Sequence, residues 1–242
     1  MIHQEQKMVH IPAGPVELEG NLSLPSNASG IVLFAHGSGS SRHSPRNRFV
    51  AEQLQQAGLA TLLIDLLTVE EEIADRPSGY LRFDIQLLAQ RLGYVTDWLK
   101  QNQSTHALKI GYFGASTGAG AALLTAADHP QDVSAIVSRG GRPDLAGDAL
   151  LRVKAPTLLI VGGEDHQVIR LNEIALAQIH GEKRLDIIPG ATHLFEEPGT
   201  LEQVASLARL WFEHYLTFTA THPDSADFAK DKCLNSISKE AK

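Results

Sequence analysis

The sequence predicts an α/β domain: a mostly parallel central sheet of about eight strands, opened by an N-terminal antiparallel hairpin, with helices on both faces. Three observations predict it. Short continuous apolar runs, the pattern of strands buried on both faces, recur along the chain. Stretches with helical spacing lie between several of them. The chain has 242 residues and 43% hydrophobic content, enough for one domain with a substantial core. One domain is expected over residues 1–220, followed by a polar tail over 221–242.

In chain order, residues 8–11 and 15–24 are extended segments joined at Ala13-Gly14, where the glycine permits a tight turn, and they predict the hairpin. A breaker run, Pro25-Ser-Asn-Ala-Ser-Gly30, precedes Ile31-Val-Leu-Phe-Ala35, the first buried strand. Further apolar runs lie at 60–64, 110–113, 133–137, 157–161 and 185–188. Ile85, Leu88, Leu92, Val95 and Leu99 follow steps of three and four residues and share one helix face. Residues 200–215 form a second such helix, with Leu201, Val204, Ala208, Trp211 and Tyr215 aligned. Both stripes are core packing. Past about residue 221 the period is lost, as in a frayed tail or a loosely docked helix. The sequence contains no internal repeat.

Charge and cysteine content narrow the function classes. Acidic residues number 28 against 21 Lys plus Arg, a net charge of −7, the wrong sign for gripping nucleic acid or an anionic membrane. The single cysteine, Cys233, excludes an internal disulfide framework and any cysteine-only metal site, as in a reducing compartment. The N-terminus lacks the pattern of a secretory signal, and no window approaches the roughly 18 apolar residues of a membrane span. A cytoplasmic protein is expected.

The chemistry lies at three strand ends. Gly114-Ala-Ser116-Thr-Gly118 is a G-x-S-x-G element directly after the 110–113 strand and before the small-residue stretch 119–127. In that setting a sharp turn lifts the serine hydroxyl above the sheet, and the flanking positions must lack side chains because strand and helix approach closely. A serine hydroxyl needs a base, and the base needs a carboxylate to fix its tautomer. Asp165, in Gly162-Gly-Glu-Asp165-His-Gln-Val168, follows the 157–161 strand, and His193, in Pro189-Gly-Ala-Thr-His193, follows the 185–188 strand. All three strand ends meet at the carboxyl edge, where open α/β sheets place their sites. Catalytic roles are therefore expected for Ser116, Asp165 and His193. Asp165 could instead cap the following helix; Glu164 is its nearest competitor as triad acid, and Asp144 the next.

With these motifs and His36-Gly-Ser-Gly-Ser40 after the first buried strand, the sequence resembles the α/β-hydrolase superfamily, and within it the small, lidless dienelactone-hydrolase-like group. The resemblance spans about residues 9–215. It implies the α/β-hydrolase fold and an oxyanion hole made by the backbone N–H of Thr117 and that of Gly37 or Ser38. Dienelactone hydrolases proper resemble cysteine enzymes at the elbow, whereas this chain has Ser116 there. Simple ester hydrolysis is therefore expected, without inherited lactone specificity.

Other readings share the triad: acyl transfer to an acceptor other than water, peptidase activity, and a non-catalytic binding module of the same fold. His36 is read as a brace for the oxyanion loop and His166 as a rim residue. No histidine pair has H-E-x-x-H spacing, and neither metal nor cofactor is expected. Arg42, His43, Arg46 and Arg48, together with Arg139 and Arg142, leave the carboxyl edge. Arg42 and Arg139 are the candidates to bind an anionic part of a small ester substrate, against solvated or ion-paired roles. Only about eighteen residues separate Val137 from Pro156, too few for a large helical cap. Residues 66–80 could cover the pocket instead.

Overall fold

The computed structural model describes residues 6–217. Eight strands form one sheet: β1 (Gln6–Ala13), β2 (Val16–Ser23), β3 (Gly30–Ala35), β4 (Ala60–Ile64), β5 (Lys109–Ala115), β6 (Val133–Arg139), β7 (Thr157–Gly162) and β8 (Lys183–Ile188), in the spatial order β1-β2-β4-β3-β5-β6-β7-β8. The β1–β2 hairpin is antiparallel, with Ala13 opposite Val16 and Gly14 at φ 67° in the turn. β2 pairs antiparallel with β4, and all remaining pairs are parallel. β3 lies between β4 and β5, so the connections diverge there, and the crevice at the carboxyl ends of β3 and β5 is the topological switch point.

The helices are α1 (Pro45–Gln56), α2 (Val69–Asp75), α3 (Ile85–Gln101), α4 (Thr117–Asp128), α5 (His166–Gln178) and α6 (Thr200–Leu216). The two-residue period of the strands divides the core between the two faces. Ile31, Leu33 and Ala35 pack with Leu88, Leu92, Val95 and Leu99 of α3 and with the alanines of α4. Val32 and Phe34 pack with Val50 and Leu54 of α1 and with Val204, Ala208 and Phe212 of α6. Both helical stripes expected from the sequence are thus core faces.

Local signals fix the helix starts. Ser44 accepts from the Asn47 amide and Pro45 opens α1. Thr68 and Glu71 form a reciprocal capping box on α2, and Asp84 caps α3. Between β6 and β7 the chain forms only a 3-10 segment, Pro143–Arg152, as the short connection predicts. β8 starts at Lys183, two residues before its apolar run, because it is an edge strand whose first residues are exposed and need no apolar side chain. The expected polar tail, 221–242, lies outside the described residues. Among the described residues no helix is long and apolar enough to cross a membrane.

Candidate active site

Ser116 connects β5 to α4 at φ 50° and ψ −122°, a positive φ that a side-chain-bearing residue rarely adopts. Its neighbours hold it there. The Ser116 N–H donates to the Arg139 carbonyl at 3.3 Å, and its own carbonyl accepts from Ala119 and Arg142 amides at 3.1 and 3.0 Å. The flanking glycines are steric necessities. A Cβ on Gly118 would sit 2.2 Å from the Ala35 carbonyl oxygen, and one on Gly114 would sit 2.5 Å from Ala119 Cα. The glycines therefore let α4 press against β3 and β5 and present the serine at the switch point.

Asp165 and His193 follow β7 and β8. His193 Nδ1 and Asp165 Oδ2 are 2.6 Å apart, a charge-assisted hydrogen bond that puts the imidazole proton on Nδ1 and leaves Nε2 as the basic nitrogen. Asp165 occupies the N-cap position of α5, but its side chain makes no capping bond. Its carboxylate is thus given to His193 and not to the helix. Of the competitors, Asp144 is paired bidentately with Arg142, and the His193 ring bonds Asp165 and not Glu164. β6 links the two halves of the site. Arg139 carries the carbonyl that receives the Ser116 amide, and a Cβ on the next residue, Gly140, would lie 3.5 Å from His193 Nδ1. Ser116 Oγ makes no hydrogen bond among the described residues; in uncomplexed hydrolases such contacts often tighten only when substrate binds.

The loop after β3 supplies the opposite wall. A Cβ on Gly37 would stand 3.0 Å from Ser116 Cβ, so glycine allows the loop to touch the serine. His36 braces this loop, donating from Nδ1 to the Gly37 carbonyl at 2.9 Å and accepting the Leu66 amide on Nε2 at 3.2 Å. One oxyanion candidate needs correction. The Ser38 amide donates to Thr117 Oγ1 at 2.8 Å and so is not free for a substrate oxygen. The amides of Gly37 and Thr117 have no protein acceptor among the described residues. Beside this loop lies a cavity of about 310 Å³ whose walls include His36, Ser38, Leu66, Leu67, Arg76 and Arg82; Ser116 and His193 are not in its lining.

The arginines separate sharply. Arg42 is corrected from substrate contact to structural pair: its amide and guanidinium both bind Asp65, and a second arm binds Glu19. Arg139 is 8% exposed, and among the described residues its guanidinium bonds only Asn47 Oδ1, at 3.3 Å. Burial, with Arg46 nearby, pushes its guanidinium down to about 10. Two features carried no sequence signal. Phe195, two residues past His193, is buried at φ 55°, although phenylalanine has no special tolerance for that region. The Thr117 hydroxyl ties α4 to the loop after β3.

Sheet order and the strained serine turn place the chain in the α/β-hydrolase class. Within that class, the sequence pattern of the dienelactone hydrolase family matches residues 18–222, and the chain belongs to that family. It is similar to a crystal structure of a dienelactone hydrolase from Anabaena variabilis, with 65% identity and a TM-score of 0.87 over 88% of this chain and 99% of that one. Over 208 residues it is also 62% identical to a Mycobacterium tuberculosis protein that carries the name "putative phosphoribosyl transferase". That match covers 86% of this chain and 46% of the relative, so the chain spans about half the length of the curated relatives it matches. Est1E from Butyrivibrio proteoclasticus shares the fold at 16% identity, with a TM-score of 0.72 over 86% of this chain and 98% of that one.

Proposed function

We propose that the protein is a serine hydrolase that cleaves esters through Ser116, His193 and Asp165. The observation that carries this reading is the Asp165–His193 hydrogen bond, which leaves a basic Nε2 at the sheet edge that presents the strained Ser116. Ser116 Oγ attacks the ester carbonyl carbon while His193 Nε2 takes its proton. The amides of Thr117 and Gly37 bind the resulting oxyanion, each worth about 3 kcal/mol of barrier. His193 then protonates the departing alkoxide, leaving an acyl-serine, and a water activated by the same imidazole releases the acid.

His193 is partly exposed, and between β6 and β7 the chain forms only a short 3-10 segment, both of which favour water as the acceptor over a bulky acyl-group acceptor. The relative with a transferase name does not change the reading. Any 208-residue stretch of this chain contains Ser116, Asp165 and His193, and 54% of that relative lies outside the match.

The test is turnover of short-chain p-nitrophenyl esters by wild type and Ser116→Ala, with mass analysis after fluorophosphonate treatment. Turnover lost in the variant and one adduct on Ser116 are expected. A folded protein with neither turnover nor adduct would move the binding-module reading ahead.

A further inference from the structure

Arg139 ends β6 with its guanidinium enclosed beside the first turn of α1. Nη2 bonds Asn47 Oδ1, while Nε and Nη1 are buried without an acceptor. No carboxylate among the described residues pairs with it. A second cation, Arg46, lies close by in the same helical turn. Its Nε is also buried without an acceptor, and its Nη1 reaches Glu196 Oε1 at 3.0 Å. Glu196 is 63% exposed and Arg46 is 30% exposed, so this one pair lies at the surface, where such pairs hold weakly.

The backbone adds to the positive potential. The first turn of the 12-residue α1 presents the positive end of the helix: Pro45 has no N–H, Ser44 takes up the Asn47 and Arg48 amides, and the Arg46 amide has no acceptor among the described residues. Two guanidinium groups with three buried donors that lack an acceptor thus lie at the start of α1, and among the described residues the one carboxylate paired with either of them is the exposed Glu196. Buried cations are ordinarily paired, and a planar guanidinium fork matches the two oxygens of a carboxylate or phosphate.

We propose that Arg139, Arg46 and Asn47 form a binding site for a small oxyanion, a carboxylate or a phosphate group. The anion displaces Glu196 from Arg46 and fills the vacant donors of Arg139. Two sources share this chemistry: a free anion, and an anionic substituent of the ester substrate, since Glu196 follows His193 by three residues and the Arg139 carbonyl holds the Ser116 amide. Binding itself does not depend on Ser116 being the nucleophile. Only the assignment of the anion to the substrate rests on that reading.

The experiment titrates inorganic phosphate and acetate at constant ionic strength, following the thermal midpoint of the full chain. Saturable stabilisation is expected, with the apparent Kd raised at least tenfold in Arg46→Gln and in Arg139→Met. Arg139→Met is also expected to match or exceed the wild-type midpoint without anion, because it removes an uncompensated buried cation; an arginine with a purely structural role would lose stability there. If Arg139→Met does not fold, Arg46→Gln alone decides. Stabilisation that is absent in wild type, or equal in Arg46→Gln and wild type, overturns the site. A second arm compares kcat/KM for matched carboxylate-bearing and neutral esters. A ratio that falls at least tenfold in Arg46→Gln assigns the anion to the substrate, while an unchanged ratio with phosphate binding lost assigns the site to a free anion. Failure of the hydrolase reading would appear as no turnover of either ester, and the binding arm would still decide the site.

Discussion

Replacing Gly118 by alanine tests the elbow at its tightest point. The new Cβ would lie 2.2 Å from the Ala35 carbonyl oxygen and 2.5 Å from that of His36. Carbon and carbonyl oxygen normally meet at about 3.3 Å or more, so the overlap is about 1 Å. Both obstacles are backbone atoms, one in β3 and one in the loop after it, and no rotamer change relieves them. α4 must shift away from β3, at a cost at the upper end of overpacking, about 3 kcal/mol. In a chain of this size that lowers the thermal midpoint by about 6–12 °C. The same shift moves the Thr117 amide and hydroxyl away from Gly37 and Ser38, so fluorophosphonate labelling of Ser116 should slow as well. The control is Gly39→Ala, whose Cβ meets nothing within 4 Å and whose φ of 73° carries only a conformational cost of about 1–2 kcal/mol. Midpoints from circular dichroism and labelling rates from intact mass provide the readout. A Gly118→Ala midpoint no lower than that of Gly39→Ala, with labelling at the wild-type rate, would refute the close-packed elbow.

Asp165→Asn should lower kcat about 10³- to 10⁴-fold with little change in thermal midpoint, because the carboxylate orients His193 and does not cap α5. The opposite pattern, unchanged rate and about 1 kcal/mol lost, would return Asp165 to a capping role. Arg42→Ala should cost about 3 kcal/mol in urea denaturation by taking the guanidinium from the largely buried Asp65, which keeps only the backbone amide of residue 42, with no change in phosphate affinity; weakened phosphate binding would contradict its structural assignment. Glu71 bridges the α2 capping box to Arg91, and the hydrogen bond from Arg91 holds its carboxyl below the ordinary carboxylate range against the opposing effect of burial. Its contribution is then fully present above the unfolded value of about 4.3 and lost as pH falls through the lower folded value. The stability gap between wild type and Glu71→Gln, about 1–2 kcal/mol near neutrality, should therefore narrow between pH 5 and pH 3. A gap independent of pH would show that the ionised carboxylate is not what Arg91 holds.

The sheet was legible because its strands obey a simple rule. A strand buried on both faces must be apolar throughout, and β3, β4 and β7 are fully buried runs whose limits can be read to within a residue. β8 escapes the rule at its start because an edge strand exposes Lys183 and Arg184. The long helices α3 and α6 were legible from one-sided stripes that meet a flat sheet. α1 and α5 were weaker signals: α1 buries only Asn47, Val50, Ala51 and Leu54, and apart from Pro45 and the partly buried Phe49 polar residues fill the rest of its length.

At the site, the legible residues are those whose role depends on backbone position. A serine between two sterically obligatory glycines, and an acid and a base each just past a strand, are fixed by chain order once the sheet is known. The arginines follow a different logic, because a charged side chain takes its role from its partners, and partners come from distant segments. Arg42 and Arg46 lie four residues apart on one loop-helix junction and look alike in sequence. Arg42 reaches Asp65 and Glu19, 23 residues away on each side, and is neutralised. Among the described residues the Arg46 guanidinium reaches only an exposed glutamate from 150 residues away, and that of Arg139 reaches only the Asn47 amide oxygen. The difference between a brace and a binding group is therefore a count of carboxylates within reach, which local sequence does not encode. Among the described residues that count leaves Arg139 with no carboxylate and Arg46 with one exposed partner, and the two adjoin both the Ser116 turn and the His193 loop.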